Sequence, residues 1–103
     1  MSLLRKNITL PTPSGYMVWE EFVASTGIDP DRLRELLALG WLDIGQTSEQ
    51  PLFRDVDIYR VRKLERICCD FELPVLGGTI IVDLLERVDQ LERRVRDLRG
   101  LDD

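Results

Sequence analysis

Apolar and polar positions fall into short periodic blocks separated by glycine and proline. After Pro11, Pro13 and Gly15, the segment YMVWEEFVASTG sets Val18, Phe22 and Val23 at helical spacing. This predicts a helix over about residues 18–26, closed by Gly27. Glu20 and Glu21 fall in its first turn, where the helix dipole favours negative charge. Asp29 can cap a second helix that Pro30 opens. Leu33, Leu36 and Leu37 form its apolar stripe, Gly40 ends it, and Arg32, Arg34 and Glu35 lie on its outer side. Two short helices joined by a tight glycine-containing turn make a helix-turn-helix unit.

WLDI then reads as a short strand, GQTSEQP as a polar loop and LF as the start of a returning strand. The resulting hairpin, a wing, has Trp41, Leu42, Ile44, Leu52 and Phe53 to pack beneath it. A third helix starts at Asp55 or Asp57 and ends near Glu72. Its core stripe is Val61, Leu64, Ile67 or Cys68, and Phe71, with Arg60, Lys63 and Arg66 on the other side. Leu73-Pro74 breaks it, and Gly77 and Gly78 read as a soft or closely packed turn.

The strongest periodicity follows. Ile81, Leu84, Val88, Leu91, Val95 and Leu98 are spaced 3, 4, 3, 4, 3, with β-branched residues at a and leucine at d, a choice that favours two-stranded assembly. Asp83–Arg87, Asp89–Arg93 and Glu92–Arg96 place acid four residues before base, which supports an exposed helix. A terminal helix folded back on its own domain also fits so short a repeat. The single apolar seam favours an intermolecular coil. Parallel pairing sets Arg87 against the partner's Glu92 but Arg94 against the partner's Arg99, and antiparallel pairing brings Arg87 near the partner's Arg94. Charge leaves the orientation open.

The expected fold is mainly α: a winged helix-turn-helix with a small β-hairpin wing and a C-terminal coiled-coil helix. Residues 1–15 read as a tail with one β-like stretch at Ile8–Leu10, residues 16–73 as the winged domain and residues 74–103 as the dimerisation helix.

Composition narrows the function. No run of about 18 apolar residues exists, so no membrane span is expected, and the N-terminus lacks an apolar signal-peptide core. Histidine is absent, and the two cysteines, Cys68 and Cys69, are adjacent. They read as small hydrophobes with one facing the core, or as a redox switch. No metal or other cofactor is expected, and the chain reads as cytoplasmic. An enzyme is not expected, because no nucleophile motif appears and no glycine-rich phosphate loop follows a strand. LGGT is a lone glycine pair whose plainer reading is a turn or a close helix contact.

Charge changes the picture most. The chain carries 19 acidic and 14 basic side chains, a net charge of −5. Residues 14–53 hold only Arg32 and Arg34 against Glu20, Glu21, Asp29, Asp31, Glu35, Asp43 and Glu49. Duplex DNA is bound through lysines and arginines that release counterions, so such a surface repels phosphate. It attracts a basic face on a protein partner and speeds association. Glu20, Glu21, Asp29, Asp31 and Glu35 are the candidate charge partners, and Trp19 and Leu39 the candidate anchors. Glu20, Glu21 and Asp29 also suit helix starts whatever the partner. The alternative, a DNA-binding regulator, would use Arg32, Arg34, Arg54, Arg60 and Arg62. As a two-fold dimer it would demand a pseudo-palindromic site.

The stretch TGIDPDRLRELLALGWL resembles the TGV-S-P-x-TLRYYE-x-x-GLL element of MerR-type regulators. It departs where DNA contact matters: Glu35, Leu36 and Leu37 stand where those regulators tend to carry basic and aromatic residues, and PLFRDVD replaces their Gly-Tyr-Arg-x-Tyr wing. Three stretches, VWEEFVASTGIDPDRLRELLALGWLD, PLFRDVDIYRVRKLERICCDFEL and LPVLGGTIIVDLLERVDQLERRVRDL, together cover most of residues 16–99. In their order they are similar to the CbpM chaperone modulators, small MerR-like proteins without an effector domain. The resemblance implies a homodimer through the C-terminal coil. It also implies binding to the J-domain of a DnaJ-like cochaperone, in competition with the DnaK-type chaperone for a basic face.

Overall fold

The structure, a computed structural model, describes residues 14–46 and 50–102. The tail with its β-like stretch at Ile8–Leu10, and Glu49 in the polar loop, lie outside the described residues. In chain order the elements are β1 (Tyr16–Met17), α1 (Trp19–Thr26), α2 (Pro30–Ala38), β2 (Gly45–Gln46), β3 (Pro51–Arg54), α3 (Val56–Phe71) and α4 (Val75–Asp102). This is the expected winged helix-turn-helix followed by a long helix. The chain forms two compact units that divide within α3, one ending at Tyr59 and the other starting at Arg60. No helix among the described residues is long and apolar enough to cross a membrane.

In the first unit, local chemistry sets the helix ends. Gly27 is left-handed at φ 73°, and its N–H donates to the Val23 carbonyl at 2.8 Å. The Thr26 hydroxyl donates to the Phe22 carbonyl at 2.8 Å and accepts from the Ile28 N–H at 3.2 Å, holding the turn between the helices. Asp29 caps α2 by accepting from the Asp31 N–H at 2.7 Å, with Pro30 in the first turn. At the other end Gly40 is left-handed at φ 70°. Its N–H donates to the Leu37 carbonyl and the Trp41 N–H to the Leu36 carbonyl, the paired bonds of a Schellman motif.

That motif corrects the expected WLDI strand. The Trp41 N–H is spent on capping α2, and only Gly45–Gln46 enters the ladder. The sheet also has a third strand that the sequence did not suggest. β3 is central, pairing antiparallel with β2 (Gly45 opposite Leu52) and with β1 (Met17 opposite Phe53). The core of this unit is Met17, Phe22, Ile28, Leu33, Leu36, Leu42, Leu52 and Phe53. Phe22 of α1 stacks on Phe53 of β3 with centroids 4.7 Å apart.

In the second unit, Val61, Leu64 and Cys68 of α3 and Val75 and Val82 of α4 are buried. Cys68 takes the inward place and Cys69 is exposed. Phe71, expected in this core, is 68% exposed. It is the last residue of α3, where Glu72 turns left-handed at φ 52° and the Leu73 N–H caps back to the Cys68 carbonyl at 3.0 Å. Gly77 and Gly78 are not in the turn, which Glu72–Pro74 supplies; both lie inside α4. Close packing is nevertheless the reason for Gly78. A Cβ there would sit 2.4 Å from Cys68 Sγ and 2.7 Å from Leu64 Cδ1. Arg60, expected on the outer side, is half-buried and crosses to α4, with Nε 2.8 Å from Glu86 and Nη2 3.2 Å from Asp83. Asp83 is therefore engaged across the helix pair as well as standing four residues before Arg87.

Candidate interaction surface

The candidate surface is built on the helix-turn-helix. Trp19 is the first residue of α1 and half-buried, its ring edge-on to Phe53 at 6.0 Å and 64°. Glu20 and Glu21 follow in the first turn, both exposed. On α2, Asp31, Glu35 and Leu39 recur at intervals of four, so they line one edge of the helix. Asp31 and Glu35 are exposed, and Leu39 at the C-cap is 47% exposed, an apolar side chain at the end of an acidic row. Asp29 is exposed too, but one of its carboxylate oxygens holds the α2 cap, so a structural role already accounts for it.

The structure joins Trp19 to this row through a residue assigned to the DNA alternative. Arg34 pairs with Asp31 one turn away and lies over the indole, its guanidinium carbon 5.5 Å from the ring centroid. Trp19 and Arg34 are fifteen positions apart, and no periodicity predicts the contact.

The long helix offers a different surface. Val75, Gly78, Thr79 and Val82 form its buried stripe, and residues 87–100 are all exposed. Of the expected seam, Ile81 is half-buried, while Leu84, Val88, Leu91, Val95 and Leu98 are 42–59% exposed. Leu76 and Ile80, also exposed, extend the outer apolar stripe toward the start of the helix. Asp89 and Arg93 pair beside it at 2.9 Å.

The MerR HTH regulatory proteins match this chain over residues 17–100, from β1 to the end of the exposed stripe. The chain belongs to the MerR HTH family. No curated protein matches it. Several of the arginines assigned to the DNA alternative face carboxylates. Arg34 is held by Asp31 and Arg60 by Asp83 and Glu86. Arg54 reaches Asp57 at 3.1 Å and Asp43 at 3.8 Å. The hydrogen bond and charge of Asp57 raise the Arg54 guanidinium above its ordinary value. Arg32 is half-buried and Arg62 is exposed.

Proposed function

We propose that this MerR HTH protein regulates by binding a protein, as a chaperone modulator on the J-domain of a DnaJ-like cochaperone that keeps the DnaK-type chaperone from the same basic face. The supporting observation is the charge on the helix-turn-helix: Glu20, Glu21, Asp31 and Glu35 are exposed, and the exposed Arg34 is tied to Asp31. A duplex carries one negative charge per about 1.7 Å and would meet carboxylates there. A basic protein face would be drawn to them. The resemblance of most of residues 16–99 to the CbpM modulators supports a J-domain as that partner.

The working unit in this reading is a homodimer through α4. Its exposed stripe at Leu84, Val88, Leu91, Val95 and Leu98 supports that, because a row of half-exposed aliphatic residues gains free energy when a second copy covers it. The second reading, a DNA-binding regulator, is favoured by the family description and would rest on Arg32, Arg34, Arg54, Arg60 and Arg62. The test is ATP turnover by a DnaK-type chaperone stimulated by a J-domain protein. Addition of the chain should suppress the stimulated rate and leave the basal rate unchanged. An unaffected stimulated rate, together with tight sequence-selective DNA binding, would favour the second reading.

A further inference from the structure

We propose that the Trp19 ring and the Asp31 carboxylate form a guanidinium subsite, filled by the chain's own Arg34 in the free protein and by an arginine of the basic protein partner in the complex. The inference rests on the protein-binding reading above and names the side chain that the surface selects.

The platform is fixed. Trp19 sits edge-on to Phe53, and Phe53 stacks on the fully buried Phe22, so the indole is braced from the core. Its present occupant displays the recognition chemistry. One guanidinium meets a π-face at 5.5 Å from the ring centroid and, through Nη1, a carboxylate. A planar guanidinium satisfies both contacts at once, whereas an ammonium is a compact point charge with a tighter hydration shell.

The occupant is also easily displaced. The side chains of Arg34 and Asp31 are 63% and 90% exposed, and ion pairs that open to water are weak. The braced ring stays in place while the exposed arginine leaves. Arg34 is then an internal competitor that lowers the affinity of the surface for an arginine-bearing partner and does so less for a lysine-bearing one.

The test uses the full chain carrying Trp41→Phe, which leaves Trp19 as its one indole. Two peptides of equal length and charge, one with arginines and one with lysines at the same positions, are titrated by calorimetry and by the Trp19 indole N–H resonance. Arg34→Gln should bind the arginine peptide roughly three- to tenfold more tightly than the parent, with a smaller gain for the lysine peptide. Arg34→Lys, which keeps the charge, should give the same ranking at lower amplitude. Adding Trp19→Leu to Arg34→Gln should abolish the arginine preference. Equal gains for both peptides, no gain for either, or a preference that survives loss of Trp19 would each overturn the subsite. The J-domain of a DnaJ-type cochaperone, titrated on the same preparations, separates the two claims. Arginine preference without J-domain binding rejects the partner and keeps the subsite. J-domain binding without arginine preference does the reverse.

Discussion

Arg54 hydrogen-bonds the carboxylate of Asp57 through Nε at 3.1 Å and Nη2 at 3.3 Å, linking the end of β3 to the first turn of α3. The Asp57 side chain is only 2% exposed and Arg54 is 35% exposed, so the two ends of the pair are not equivalent. Arg54→Leu removes the cation from a buried carboxylate and should cost about 2 kcal/mol. Asp57→Asn leaves an arginine that water can reach and should cost about 1 kcal/mol. Urea unfolding of the two variants checks the order.

The two neighbouring glycines of α4 should respond in opposite directions. Gly78→Ala drives a methyl group against Cys68 and Leu64 and should destabilise by about 1–3 kcal/mol. At Gly77 the nearest atoms to a new Cβ are 3.9 Å away, on Pro74. Gly77→Ala should therefore stabilise by about 0.5–1 kcal/mol through helix propensity. Melting temperatures of the pair measure the effect, and a harmless Gly78→Ala would mean that α3 and α4 do not pack as described.

Glu72 is the one non-glycine residue with positive φ among the described residues, at the C-terminal turn of α3. A side chain in the left-handed region carries a steric cost that glycine avoids. Glu72→Gly should raise stability by about 0.5–1 kcal/mol, read from the denaturation midpoint.

Leu91 is 42% exposed in the single chain, so a change there acts on self-association rather than on the monomer core. Leu91→Asp should convert the proposed dimer to monomer in analytical sedimentation while helical circular dichroism is retained. A dimer of unchanged affinity would place the interface elsewhere.

The parts of this fold that were legible in the sequence are those set by chemistry within a few residues. Asp29, Pro30, Gly27 and Gly40 mark the ends of α1 and α2 because caps and left-handed turns are local. The parts that were not depend on long-range geometry. Tyr16–Met17 is a two-residue strand, too short to show alternation, and exists because β3 offers it an edge. Trp41–Ile44 has strand composition, but its first N–H belongs to a helix cap. The sequence reads Gly78 as either a turn or a close helix contact, and only the Cys68 thiol and Leu64 methyl lying across from it decide for the contact. The acidic row of Asp31 and Glu35 follows from helical spacing, whereas the approach of Arg34 to Trp19 needs two helices to be placed in three dimensions.

If the helix-turn-helix carries its carboxylates for a basic protein face, charge reversal on α2 should remove that attraction. Asp31 and Glu35 are exposed and belong to no buried stripe, so Asp31→Lys/Glu35→Lys should keep the fold, at a small cost from the lost Asp31–Arg34 pair and the acid removed from the first turn of α2. The parent and the variant are each titrated with the J-domain of a DnaJ-type cochaperone and with duplex DNA at about 0.15 M salt, where non-specific DNA binding is already weak. The parent should bind the J-domain with an on-rate that falls as salt rises, the variant should associate much more slowly, and the parent should show no sequence-selective DNA binding. Tight, sequence-selective binding of the parent to DNA, with no J-domain signal, would contradict the protein-binding reading.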